Sequence, residues 1–338
     1  MPILKIILFA LFMPLAFAQK SLRVAAWGGE IPSSLINQFE KKTGIKVYLT
    51  TIESNESLLI KLRTSKQSLY DVIAPSNYYI TLLEQMQLIQ KLDAKRIPEL
   101  QHIEPRFLNP KETLYTVPFL YGATGIFYNQ QWIKTPPRHW QDFWSTNYRD
   151  QLLLLDDPRE IFSIALLAQN HSPNSENPLE IQKAFRKLLK LTPNIKLFAS
   201  DAMPRMITDE DALIGCTWNG DAVRAQLENP QIQFVYPQEG YILWSEGFSI
   251  TQNAKNIDAA YAFINFILEP QNSAEITKQL HFSVTNQMAK LYLSSQTKEN
   301  AILFPSKETL DRGILQKPIS PNILNIYHQY WEKFKLSI

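Results

Sequence analysis

Cysteine occurs once in this chain of 338 residues, at position 216. A single thiol excludes an intrachain disulfide framework, so packing must supply the stability. Within the apolar run 212–218, Cys216 reads as a small core residue, with no sequence cue for an activating histidine. Long apolar runs are missing beyond the N-terminus: no later stretch reaches the ~20 apolar residues that span a bilayer. Neither sign of charge dominates, with 34 Lys and Arg against 32 Asp and Glu and a net charge of +2. The lysines are scattered, so no basic field for nucleic acid is present. Repeats and low-complexity tracts are missing too.

What is there begins with Met1 to Ala18, where Lys5 precedes an apolar stretch interrupted at Pro14 and Ala16-Phe17-Ala18 forms a small-x-small cleavage site. Residues 1–18 are expected to be a cleavable export signal. No cysteine follows the cleavage site, so a periplasmic protein without a lipid anchor is expected. The remaining chain is long enough for two domains of ordinary size.

From residue 21 the pattern is β-α-β-α-β. Strands are predicted at 21–27, 45–52 and 70–74, with helices at 32–42 and 57–64 between them. That order makes a parallel sheet wound by right-handed crossovers. A further helix is predicted at 78–88. The apolar segment 117–129 carries Gly122 and Gly125, which mark close backbone approach in a strand and suggest a crossing between two lobes. In the second lobe, Leu152 to Leu155 reads as a buried strand running through Asp156-Asp157-Pro158 into a helix. Pro158 suits the first helical position, and Asp157 with Glu160 forms a capping box. A helix is predicted at 178–191, strands at 212–218 and 241–250, and a helix at 257–268. The expected architecture is α/β in two hinged lobes, each a mostly parallel sheet flanked by helices. Residues 19–124 plus 248–285 form one lobe and 125–247 plus 286–338 the other. The hinge is expected at 121–125 and 246–249.

Ligand crevices in open α/β sheets lie along the carboxyl ends of the strands. Four strand ends or turns there place an aromatic beside a carboxylate or hydroxyl: Trp27 with Glu30, Ser76 with Tyr78, Trp218 with Asp221, and Trp244 with Glu246. Asp157 and Glu160 make a fifth wall. Each feature alone suits ordinary core packing, a solvated surface acid or a helix cap. Together they suit an organic polycation, because aromatic faces attract ammonium groups and desolvated carboxylates bind them by charge-assisted hydrogen bonds.

These residues carry a resemblance that runs along nearly all of the chain after residue 18. In order it comprises Phe39-x-x-x-Thr43-Gly44-Ile45-Lys46-Val47, Glu53-Ser54-Asn55-Glu56, Pro75-Ser76-x-Tyr78-Tyr79, Tyr121-Gly122-Ala123-Thr124, Asp156-Asp157-x-Arg159-Glu160, Trp218-Asn219-Gly220, Asn253-Ala254-Lys255-Asn256 and Ile264-Asn265-Phe266. The chain resembles the periplasmic spermidine and putrescine binding proteins of polyamine ABC transporters, most closely the spermidine-type branch. The resemblance implies the two-lobed periplasmic binding protein fold (type II), a polyamine ligand, an inner-membrane ABC permease as partner, a monomer, and no cofactor or metal. It also implies that Trp27, Tyr78, Trp218 and Trp244 box the methylene chain, that Asp157, Glu160 and Glu246 receive ammonium groups, and that Ser76 and Gln316 are polar partners. This chain departs from the pattern at Trp27-Gly28-Gly29-Glu30, at Phe282 where a tyrosine is usual, at Glu246 where an aspartate is usual, and at Asp221, which is similar to the putrescine type.

Two rivals use the same architecture. Adjacent Tyr78 and Tyr79 suggest a ferric-ion binding protein, and a polyamine sensor would keep the cleft and change the partner. An enzyme is not expected: Asp157 and Glu160, three residues apart at one helix start, flank no scissile bond. Ser54 and Ser76 lack a nucleophile-elbow setting.

Overall fold

A computed structural model describes residues 20–65, 68–108, 114–200 and 202–338; the expected export signal at 1–18 lies outside the described residues. Eleven strands are named in chain order: β1 (Ser21–Trp27), β2 (Lys46–Ile52), β3 (Val72–Ile73), β4 (Val117–Asn129), β5 (Leu152–Leu155), β6 (Ile195–Ala199), β7 (Ile214–Trp218), β8 (Ile232–Val235), β9 (Tyr241–Ile250), β10 (Ser283–Val284) and β11 (Gly313–Leu315). The main path of pairing runs β2-β1-β3-β9-β4-β7-β5-β6.

The first lobe is built on the parallel trio β2, β1 and β3. The helix Ser33–Thr43 follows β1 and buries Leu35 and Phe39; it stops at Gly44, whose φ of 69° is the left-handed conformation of a helix C-cap. In the second lobe β5 lies between β6 and β7, parallel to both. The four leucines of β5 are all buried, as a strand covered on both faces requires.

β4 and β9 join the lobes. They pair antiparallel from Val117 opposite Phe248 to Thr124 opposite Ile242. β9 continues onto β3 at Ser249 and Ile250, and β4 onto β7 from Thr124 to Tyr128. The register slips between Pro118 and Leu120, where proline has no N–H to give the ladder. Two crossing strands let the lobes rotate about one line and resist sliding.

Two large cores flank the crossing. One gathers Phe39, Val72, Phe119, Phe248 and Phe263; the other gathers Leu153, Phe162, Ile214, Tyr327 and Phe334. Cys216 is buried in the second, where it accepts a hydrogen bond from the Leu155 N–H at 3.4 Å and burial pushes its thiol up to about 12. Gln287–Tyr292 and the following Leu293 pack on the helix Pro270–Leu280, with Ala274, Ala289 and Leu293 in one small core.

Three local expectations change. The strand predicted over 70–74 pairs only at Val72 and Ile73. The helix predicted over 78–88 is a 3-10 turn, Asn77–Tyr79, followed by the helix Ile80–Gln85, and it ends where Gln87 takes a φ of 56°. Only half of the Asp157 capping box forms: Asp157 Oδ1 accepts from the Glu160 N–H at 3.0 Å, while the Glu160 carboxylate is held beside Thr124 and Trp218.

Candidate functional site

β1 ends at Trp27, and Gly29, with a φ of 81°, lets the chain turn back so that the Glu30 N–H reaches the Trp27 carbonyl at 3.3 Å. Trp27 Nε1 donates to Glu246 Oε2 at 3.0 Å. Ser76, at the end of the β3 segment, forms an isolated antiparallel bridge with Glu246 and donates from Oγ to its Oε1 at 3.2 Å. Two separate segments therefore converge on one carboxylate in the middle of a crossing strand. Burial pushes Glu30 up to about 8, and burial, then the charge of Glu30, drives Glu246 well above the usual carboxylate range.

Asn55 organises the neighbouring corner. Ser54 caps the helix Asn55–Thr64, and the buried Asn55 side chain accepts from the Ser76 N–H at 3.2 Å and donates to the Tyr78 hydroxyl at 3.2 Å. Tyr79 donates from its hydroxyl to Glu56 at 2.7 Å. Glu56 also meets His328, on the helix Pro321–Lys335 of the second lobe, at 3.3 Å. Tyr78 and Tyr79 pack into the second lobe's core, so the lobes are closed on each other.

The second lobe contributes the start of the helix Pro158–Leu167. Burial raises Asp157, and burial together with the Asp157 charge pushes Glu160 up to about 8, with Thr124 and Trp218 offsetting part of the rise. Arg159, between them in sequence, is 1% exposed. Its guanidinium is directed to the Lys317 carbonyl at 3.4 Å and Asn174 at 3.3 Å, and lies 5.1 Å from the Tyr78 ring centroid. One fixed cation therefore stands beside Asp157 and Glu160 and does not neutralise the pair of Glu30 with Glu246 on the crossing strand.

An aromatic row lines the crossing. Trp218 and Trp244 lie edge to face at 6.1 Å, and Trp244 and Phe282 at 5.3 Å. Gly122 is required under this row, since a Cβ there would lie 2.2 Å from the Trp244 ring. Gln316 follows β11 and is anchored by its backbone N–H on the Leu243 carbonyl at 2.7 Å. Asp221 is buried in the first turn of the helix Asn219–Glu228, ion-paired with Arg224.

The structure thus gathers Trp27, Glu30, Ser76 and Glu246 on one wall and Asp157, Glu160 and Trp218 on the other. Tyr78, Trp244, Phe282 and Gln316 lie at the boundary, and Asp221 faces its own arginine. Several of these residues hold buried polar atoms with no hydrogen-bond partner: Glu30 Oε2, Glu160 Oε2, Trp244 Nε1 and Gln316 Nε2. Glu30 is only half-buried as a residue, yet that oxygen is shut off from solvent. Buried groups without partners are costly, and carboxylates most of all, so a cluster of them marks a place for groups from outside the chain. Desolvated acids beside aromatic faces can bind ammonium nitrogens and pack methylenes.

Sequence reasoning assigned no role to Asn55, Thr124, Arg159 or Arg224, although the first three lie within motifs it singled out. The ferric alternative finds no support. Tyr78 and Tyr79 make separate hydrogen bonds, and burial raises both hydroxyls, whereas tyrosinate ligands need theirs lowered. Among the described residues no group of three or more His, Cys, Asp or Glu is placed to hold a metal ion. A separate cavity of about 470 Å³ is lined by Glu104, Arg106, Phe107, Leu243 and Leu315. It includes none of the convergent acids.

Residues 34–305 match the family model described as bacterial extracellular solute-binding protein. The chain is 34% identical over 313 residues to the spermidine/putrescine-binding periplasmic protein of Salmonella typhimurium, covering 91% of this chain and 90% of that one. It is 27% identical over 344 residues to the putrescine-binding periplasmic protein PotF of Escherichia coli, covering 95% and 93%. Its structure is similar to that of the spermidine/putrescine ABC transporter substrate-binding protein PotD of Streptococcus pneumoniae, with a TM-score of 0.82 and 32% identity over 94% of this chain and 99% of that one. With these relatives, and with acids and aromatics facing each other across two closed lobes, the chain belongs to the family of bacterial extracellular solute-binding proteins.

Proposed function

We propose that this protein captures a polyamine between its lobes, spermidine in preference to putrescine, and delivers it to an inner-membrane ABC permease. The observation that carries this reading is the meeting of two desolvated acid groups, Glu30 with Glu246 and Asp157 with Glu160, across a row of tryptophans. The names and coverage of the relatives support it. It is a reading of binding and transport, with no catalytic residue.

Length and charge favour the triamine. Extended putrescine places its nitrogens roughly 6 Å apart and spermidine roughly 11 Å, from bond-length arithmetic. Asp157 and Glu160 would hold one end and Glu246 the other, with Trp27, Tyr78, Trp218 and Trp244 around the methylenes and Ser76 and Gln316 as polar partners. Burial and the neighbouring acid make it costly to ionise both carboxylates at each wall, and three ammoniums offset more of that cost than two. The lobes in this reading are 19–124 with 248–285 and 125–247 with 286–338, the stretch around Ala289 staying packed on the first lobe. The protein acts as a monomer, exported by a cleaved signal at 1–18, without a lipid anchor.

Calorimetry of the protein from residue 19 onward with spermidine and putrescine tests the reading. Spermidine is expected to bind more tightly, and Glu160→Gln to weaken spermidine more than putrescine. Absence of binding by either amine would overturn the function. Tighter putrescine binding would overturn the spermidine assignment alone.

A further inference from the structure

We propose that Arg224 is a specificity-determining residue, a cation built into the chain that occupies the ammonium position Asp221 would otherwise offer. The proposal rests on the polyamine reading and deepens it. Asp221 is 2% exposed and follows Trp218 directly into the helix Asn219–Glu228. Three residues further on, the helix brings Arg224 onto the same face, and its guanidinium pairs with the Asp221 carboxylate.

The pair stands at the end of the aromatic row. Arg224 Cζ lies 5.8 Å from the centroid of Phe282, the ring that packs edge to face on Trp244. Gly220 makes this approach possible, because a Cβ there would lie 2.4 Å from Phe282. The neighbouring His281 imidazole is pushed down by burial and then by the Arg224 charge, so the arginine's field reaches the rim of the first lobe. A buried carboxylate beside an aromatic face is the same combination that serves ammonium elsewhere in the site. Here the chain completes it with its own guanidinium.

The consequence is a limit on ligand charge and length. Positive nitrogens are read by the Glu30–Glu246 and Asp157–Glu160 groups, while a nitrogen reaching past Phe282 meets a like charge. Spermidine fits between the acid groups; the linear tetraamine spermine must place a further ammonium near Arg224.

The test measures spermine and spermidine dissociation constants by calorimetry for the unmodified protein, Arg224→Gln, Arg224→Lys and the double variant Asp221→Asn with Arg224→Gln. Arg224→Met, which keeps a stem against Phe282, is run in parallel, and circular dichroism confirms folding of each. Removing the charge in Arg224→Gln or Arg224→Met should improve spermine relative to spermidine by about tenfold, the scale of one charge-assisted hydrogen bond. Arg224→Lys should keep the original ratio, and Asp221→Asn in the Gln background should abolish the gain. An unchanged ratio in folded Arg224→Gln and Arg224→Met, with both amines still bound, would overturn the specificity role and leave the polyamine reading standing. No binding of either amine by the unmodified protein would overturn that reading, and the proposal with it.

Discussion

Trp27 Nε1 donates to Glu246 Oε2 across 3.0 Å, although 219 positions separate the two residues in the chain. The bond ties the end of β1 to the middle of β9. With the Ser76 hydroxyl on the other oxygen, it aims the carboxylate without supplying the positive charge that would neutralise it.

Trp27→Phe keeps an aromatic ring and removes the donor. A hydrogen bond to a charged group is worth about 1.5–3 kcal/mol, and part of that loss should appear in the ligand complex, where Glu246 must be ionised. The expected outcome is weakening of spermidine on the order of tenfold by calorimetry, with the fold retained. Binding at full strength would show that Glu246 does not hold the ligand.

Stability should fall as pH rises. Glu30 and Glu160 lie near 8 in the folded protein against an ordinary value of 4.5, so the folded state holds their protons more tightly than the unfolded chain does. Their contribution is fully present below about pH 4.5 and is lost as pH climbs through about 8. Thermal unfolding of the ligand-free protein between pH 5 and pH 9, values chosen to bracket that window, should show a declining midpoint that saturating spermidine flattens. Calorimetry in buffers of different ionisation enthalpy should report proton release on binding at neutral pH. Proton uptake on binding would contradict the assignment.

Gly122→Ala should damage the site from beneath. The added Cβ would stand 2.2 Å from the Trp244 ring, so the indole or the crossing strands must shift. Overpacking of this kind costs about 1–3 kcal/mol. A lowered melting midpoint together with weaker spermidine binding is expected; a variant that keeps both would place Trp244 outside the wall.

Closure has a polar contact of its own in Glu56 and His328, 3.3 Å apart on opposite lobes. Both are partly exposed, so the pair should contribute about 0–1 kcal/mol. His328→Ala is expected to weaken spermidine by less than about fivefold, a factor set by that range. Small-angle scattering should show compaction of the protein on adding spermidine. An unchanged radius of gyration through saturation would count against hinge closure.

The crossing strands β4 and β9 and the helix Ile257–Leu268 were legible in the sequence to their terminal residues. Each is a long apolar run whose period and flanking polar residues are local properties. The Asp157 cap was legible for the same reason, since a cap and its N–H lie three residues apart. β3 and the turn after it were less so: pairing of a short segment depends on which neighbours arrive beside it.

The residue types of the site, acids and aromatics at strand ends, could be read in order along the chain. Which acid faces which partner could not. Asp221 and Glu160 stand in similar sequence settings, each in the first turn of a helix that follows a strand. One is paired with the arginine a helical turn later, and the other keeps a buried oxygen with no hydrogen-bond partner. Local sequence determined the elements and the chemistry available at their ends. Only packing of segments far apart in the chain decided that Trp27 and Ser76 would hold Glu246 and that Asn55 would set Tyr78, because burial and charge at each carboxylate are sums over neighbours that the fold brings together.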